Sequence, residues 1–154
     1  MRTRTIILIL TLCLVATAIC FAADANMGTW KLNEAKSKFS PTAPRNHTVI
    51  YEAAGENIKV IVHGTSSDGK AISNEWIGKF DGKDYPVTGD PNSDARSYTQ
   101  VDPRTLDFAV KKDGKVTVTG RVVVAADGKS RTVTATATDT NGKKITSTAV
   151  YDKQ

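Results

Sequence analysis

Five residues stand out as the material for a small-molecule site: Asn74, Trp76, Tyr98, Phe108 and Tyr151. In an extended chain every second side chain faces the same way. Ile72, Asn74, Trp76, Gly78 and Phe80 therefore share one face, with an amide beside an indole. Tyr98 and Gln100 share another, and Phe108 alternates with Leu106 and Val110. Aromatic walls carrying a few polar groups are the usual lining of a site for a small apolar molecule. These five residues are the candidate cavity lining.

Other chemistry finds little support. Asp90, Asn92 and Asp94 have the one-three-five spacing of a calcium loop. Position six is Ala95 where glycine is needed, and position twelve is Val101 where a bidentate glutamate is needed. Turn chemistry explains these residues instead. His47 and His63 are the only histidines and have no acidic cluster beside them, so no metal site is expected. There is no G-x-S-x-G elbow. Cys13 and Cys20 are the only thiols. No catalytic residue and no cofactor is expected.

The first 25 residues read as an export signal. Arg2 and Arg4 precede an apolar run from Ile6 to Ile19, and small residues follow at Ala22, Ala23 and Ala25. That layout predicts a signal peptide cut after Ala22 or Ala25. The remaining domain, residues 26–154, then has no cysteine and no stable membrane anchor. It must hold together by core burial alone, for which about 130 residues suffice. Of the 154 residues, 21 are Lys or Arg and 16 are Asp or Glu; without Arg2 and Arg4 the net charge falls from +5 to about +3. The lysines sit mainly at turns rather than on one strand face with interleaved aromatics, so nucleic acid is not an expected partner.

One tripeptide punctuates the domain. Asp68-Gly69-Lys70, Asp81-Gly82-Lys83, Asp113-Gly114-Lys115, Asp127-Gly128-Lys129 and Asn141-Gly142-Lys143 repeat [Asp/Asn]-Gly-Lys. Such dipeptides suit type I′ turns, whose twist matches that of paired antiparallel strands. Each copy is read as a hairpin tip. The segments between tips alternate with period two: Val116, Val118, Val122 and Val124 share a face with Gly120, and Val133, Ala135 and Ala137 alternate with threonines. Strands are expected near 28–32, 47–53, 57–63, 71–80, 83–88, 95–101, 105–112, 115–125, 130–139 and 143–152. Asn33 is expected to cap one helical turn through Glu34-Ala35-Lys36, and Pro41 and Pro44 to force an irregular crossing. The fold class is all-β: an antiparallel up-and-down meander closed into a barrel of about 8–10 strands, with a β-sandwich as the alternative. Small inward residues at Gly120, Ala135, Ala137, Ser147 and Ala149 favour a barrel with room inside.

Gly28-Thr29-Trp30-Lys31-Leu32 resembles the G-x-W opening of the calycin superfamily, and the GTWKL start of fatty-acid-binding proteins in particular. Gly28 to Phe39, with Phe80-Asp81-Gly82-Lys83-Asp84-Tyr85-Pro86-Val87, also looks like a group of small exported bacterial proteins. The resemblance implies a lipocalin-like barrel in which Gly28 and Trp30 are structural residues closing one end. It also implies a calyx for a small apolar molecule. Three features of these families are missing. Fatty-acid-binding proteins carry Arg-x-Tyr on the last strand, where this chain has Ala149-Val150-Tyr151, and a two-helix lid that residues 33–46 cannot supply. Lipocalins set an arginine near the final strand against the tryptophan, and the final strand here has none.

The expectation is an exported, periplasmic or extracellular, monomeric barrel. It binds a small hydrophobic or amphipathic ligand without transforming it. The alternative is an interaction or inhibitor module working through loops 40–46 and 89–94, with a small hydrolase or isomerase behind both.

Overall fold

The computed structural model describes residues 24–139 and 141–154. The apolar run of the expected export signal, and both cysteines, lie outside the described residues. Ten strands follow one another: β1 (Gly28–Lys38), β2 (Arg45–Ala54), β3 (Asn57–Thr65), β4 (Ala71–Gly78), β5 (Tyr85–Thr88), β6 (Ala95–Asp102), β7 (Thr105–Lys112), β8 (Lys115–Val124), β9 (Ser130–Thr138) and β10 (Lys144–Lys153). Each pairs antiparallel with its neighbours in sequence, and β1 pairs with β10, so the meander closes into a barrel. Closure pairs the first and last strands, which an open meander would leave as free edges. The described residues contain no helix.

Alternation drives this arrangement. Branched and aromatic residues at every second position suit the pleated backbone and give each strand one dry face. Trp30, Val60, Trp76, Leu106 and Val124 are fully buried on the inner face. Threonines cover much of the outer wall of β8, β9 and β10, where Thr119, Thr136 and Thr146 stand in one cross-strand row.

The tips reverse the chain as expected, but mostly not by type I′ turns. Only Asp113-Gly114 has positive φ at both central residues, 49° and 73°, with Lys112 directly opposite Lys115. At Gly69 and Gly128 the glycine alone is left-handed, and its N–H donates three residues back to the carbonyls of Ser66 and Ala125. Those are type I turns finished by a left-handed glycine, which longer loops use to recover the strand twist. Gly142 is left-handed as well, and its N–H donates to the Asp139 carbonyl. Asp81-Gly82-Lys83 lies in the connection between β4 and β5. There Asp81 bridges Thr99, and the Gly82 N–H donates to the Tyr98 carbonyl at 2.8 Å. This connection reaches β6 beside the short β5.

Two local expectations are corrected. Asn33 caps no helical turn, because β1 continues to Lys38 through an irregularity between Asn33 and Lys38. The Asn33 side chain does accept from the Lys36 N–H, at 3.2 Å, but inside a bulge. Ser37 holds that bulge to β10 by accepting from the Val150 N–H at 2.9 Å. Val116 does not share the face of Val118. A bulge beside Val110 sets Val116 opposite Lys111, and it is 54% exposed on the outer wall.

Candidate functional site

Cross-strand registers on β6 to β10 sort the inner wall into rows. One row runs Arg96, Val110, Val118, Ala137, Ile145. The next runs Tyr98, Phe108, Gly120, Ala135, Ser147. A third contains Leu106, Val122, Val133 and Ala149, and a fourth Val124, Arg131 and Tyr151. Burial rises along this series. In the first two rows Val110, Val118, Ala137, Ile145, Phe108, Ala135 and Ser147 are only half-buried, although they face inward. In the last row all three residues are buried. The barrel is thus sealed at the end holding Trp30 and Tyr151, and half-exposed at the end where β7 turns into β8 and β9 into β10.

Residues 39–44 cross beside that open end. The Ser40 N–H donates to Ser147 Oγ at 3.0 Å, and Phe39 packs against the core with the Arg45 guanidinium 4.3 Å from its ring centre. The proline-bearing crossing therefore lies over one side of the mouth.

The sealed end is built on aromatic rings. Trp30 Nε1–H donates to the Asn26 carbonyl at 2.7 Å. Above it sits Arg131, 2% exposed, with its guanidinium 4.7 Å from the Trp30 ring, 4.9 Å from Tyr51 and 5.0 Å from Tyr151. Three ring faces are what hold this cation in a dry place, because its Nε and Nη1 have no hydrogen-bond partner among the described residues. Arg131 comes from β9, directly opposite Tyr151, and not from the final strand. Burial pushes the Tyr151 phenol up to about 12, against the pull of Arg131. Burial also raises Tyr51, reinforced by Tyr98 and opposed by Arg131.

All five candidate lining residues face inward, and four of them are buried. Trp76 and Tyr98 meet edge to face with ring centres 4.8 Å apart, and Tyr98 lies 6.0 Å from Phe108. Phe108 is half-buried, and its ring lies over Gly120. Tyr51 links Tyr98 to Arg131 and so to Tyr151. Asn74, Trp76, Tyr98 and Phe108 thus gather in the middle of the barrel, while Tyr151 belongs to the seal. Their rings fill the interior between them by packing on one another. Gln100, considered with Tyr98, is exposed. Of two open recesses, of about 480 and 530 Å³, one is lined by Phe108 and Gly120 together with Asp107, Thr119, Arg121 and Thr134, and the other runs along the rim from Asp102 to Thr105.

Two buried inward arginines escaped the sequence reading, Arg131 in the seal and Arg96. Arg96 on β6 is 8% exposed, and its Nη2 reaches Asn74 Oδ1 at 3.4 Å. Its carbonyl accepts from Trp76 Nε1–H at 2.8 Å. The four-residue β5 lies between β4 and β6, so this indole ties together two strands that have no ladder between them. Elsewhere, Asp90 accepts from the Asn92 N–H and from Ser93 Oγ, and Asp94 accepts from the Asp113 N–H. The carboxylates of the calcium-like spacing are engaged in turns. Ser73 Oγ and His63 Nδ1 stand 3.1 Å apart on the exposed outer wall. No carboxylate holds that imidazole among the described residues, so the pair lacks the third member of a hydrolytic triad.

No protein-family model matches the sequence, and no curated protein matches it. Among solved structures, the chain is similar to EF1p2_mFAP2b, whose structure was solved bound to DFHBI. The likeness covers 86% of this chain and 97% of that one, at 14% identity and a TM-score of 0.51. A redesigned β-barrel, mFAP1, also solved bound to DFHBI, aligns over 86% of this chain and 98% of its own at 17% identity and a TM-score of 0.45. At 14% identity the likeness to EF1p2_mFAP2b speaks to the barrel architecture alone.

Proposed function

We propose that this chain is an exported, non-catalytic carrier that takes a small hydrophobic or amphipathic molecule into the open half of its barrel. The observation that carries the reading is the gradient of burial along the inner rows. Val110, Val118, Ala137 and Ile145 face inward yet stay half-exposed, while Leu106, Val122 and Val124 do not. Apolar side chains in contact with water on a concave wall gain about 25 cal/mol per Å² when a ligand covers them. The seal of Trp30, Arg131 and Tyr151 makes the barrel a cup rather than a tube. The architecture permits this use, since EF1p2_mFAP2b holds a small molecule, but the argument rests on this chain's own lining.

Export is read from the charged start, apolar run and small residues of positions 1–25, and N-terminal sequencing of the protein recovered outside the cytoplasm tests it. Native mass spectrometry of protein purified from its own host tests the carrier reading. An added mass that denaturation releases is expected. Bare protein that also binds no member of a panel of fatty acids, alcohols and aromatic dyes contradicts it.

A further inference from the structure

Both histidines of the chain lie on the outer wall of β2 and β3, and each meets a hydroxyl. His63, beside Ser73, has no carboxylate on its ring among the described residues. His47 has one: its Nδ1 stands 3.8 Å from Glu34 Oε1, and its Nε2 stands 2.8 Å from Thr65 Oγ1. A carboxylate only accepts, so Glu34 selects the tautomer with the proton on Nδ1 and leaves Nε2 to accept from the Thr65 hydroxyl. The sequence acid, imidazole, hydroxyl is the one that activates a nucleophile. The Glu34 contact is in ion-pair rather than hydrogen-bond range, and such contacts are often long until a substrate is bound. Two irregularities aim these groups. Strict alternation would turn His47 inward with Val49 and Tyr51; the register shift between Asn46 and Thr48 turns it out, onto Thr65. Glu34 lies in the bulged stretch of β1 between Asn33 and Lys38, past the pairing of Lys31 with Thr48 that ends the β1–β2 ladder. Bulges re-aim side chains in this way beside active sites.

We infer that Thr65, with His47 as its base and Glu34 positioning that ring, is a nucleophilic site that takes the acyl group of an activated ester. Thr65 Oγ1 attacks the acyl carbon, and its proton passes to His47 Nε2. The bond between that carbon and its leaving oxygen breaks, His47 returns the proton to the departing alkoxide, and Thr65 is left as an ester. Water deprotonated by the same ring then attacks that ester, which restores the hydroxyl and releases the acid. Arg45 stands directly opposite Thr65 in the ladder and sets a positive charge on the side where the carbonyl oxygen becomes negative. Glu34 and His47 are both exposed. An open wall supplies little binding energy to spend on the transition state, so the donor is an ester whose alcohol already leaves easily. The site lies outside the barrel, and the molecule carried in the interior is not its substrate.

The test uses p-nitrophenyl acetate on the full chain, with an acid quench and peptide mass mapping of the acetyl group. The wild-type protein should release p-nitrophenolate in a first phase of about one equivalent per chain, and the acetyl group should be found on Thr65. Thr65→Val should abolish both. His47→Ala should slow the first phase by about a hundredfold or more, the scale of general-base catalysis, and added imidazole should restore the label on Thr65. Glu34→Gln should slow it roughly twofold to fivefold, the scale of an exposed ion pair, and Glu34→Asp should recover part of that loss. His63→Ala should change nothing. Acetyl groups confined to lysine amines, a label on Ser73 in place of Thr65, or an unchanged rate in His47→Ala overturns the assignment. The wild-type map decides by itself should a variant not fold, and none of these outcomes bears on what the interior binds.

Discussion

Gly120 is a place where the inner wall tolerates no side chain. A Cβ built there would stand 2.5 Å from Phe108 Cε1, and closer still to Phe108 Cζ and to the Thr134 carbonyl oxygen. Carbon atoms in contact prefer about 3.5–4.0 Å, so both neighbours would have to retreat by about 1 Å. The Phe108 ring has some freedom, being only half-buried. The carbonyl has little, because β8 and β9 are paired in register on both sides of Gly120. Overpacking of this kind costs about 1–3 kcal/mol. A strained ladder hydrogen bond adds about 1 kcal/mol. Gly120→Ala should therefore destabilise the barrel by about 2–4 kcal/mol, seen in urea unfolding as a lower midpoint with an unchanged slope. The double variant Phe108→Ala, Gly120→Ala separates the two clashes. Removing the ring should recover only part of the Gly120→Ala loss, because the carbonyl clash remains. A Gly120→Ala protein as stable as wild type would refute the packing argument. Full recovery in the double variant would show that the strand backbone is free to move.

Stability should fall above pH 10. Tyr151 has an ordinary value of 10.0 raised to about 12 in the folded protein, so between these values the unfolded chain has lost a proton that the folded one keeps. Stability is whole below pH 10 and declines toward pH 12 by about 3 kcal/mol for this residue; urea unfolding at stepped pH should show Tyr151→Phe losing less. Trp76→Phe removes the donor to the Arg96 carbonyl and should cost about 1–3 kcal/mol, with faster amide exchange in β5 and β6 than in β9. Gly114→Ala puts a Cβ on a residue at φ 73° with open space around it, so only backbone strain is felt. A loss of about 1–2 kcal/mol is expected, and a larger one would mean the tip packs on something.

The barrel was legible because alternation and turn residues agree along nearly the whole domain. The order of strands, the reversals and the inward placement of Asn74, Trp76, Tyr98 and Phe108 all follow from that agreement. Bulges broke it. Nothing in Asn33–Lys38 or around Val116 distinguishes a strand with an extra residue from a strand that ends, so a helical turn and a wrong face were expected there. The two buried arginines were hidden by a sound prior, since arginine is rarely fully buried. The phase was nevertheless available: Arg131 is in step with Val133, Ala135 and Ala137, and Arg96 with Tyr98. Extending the alternation one position back on β9 and on β6 would have placed both inside. The division of the barrel into a sealed and an open half could not be read from the sequence. It depends on the registers of rows that cross five strands.

The most direct test of the cup is a backbone amide map of the full chain during titration with dodecanoate. Shifts should concentrate at Val110, Val118, Ala137, Ile145 and their neighbours at the rim, and leave the seal around Trp30 and Tyr151 still. Shifts confined to the outer wall of β7 to β9, or none at saturating ligand, would contradict the account.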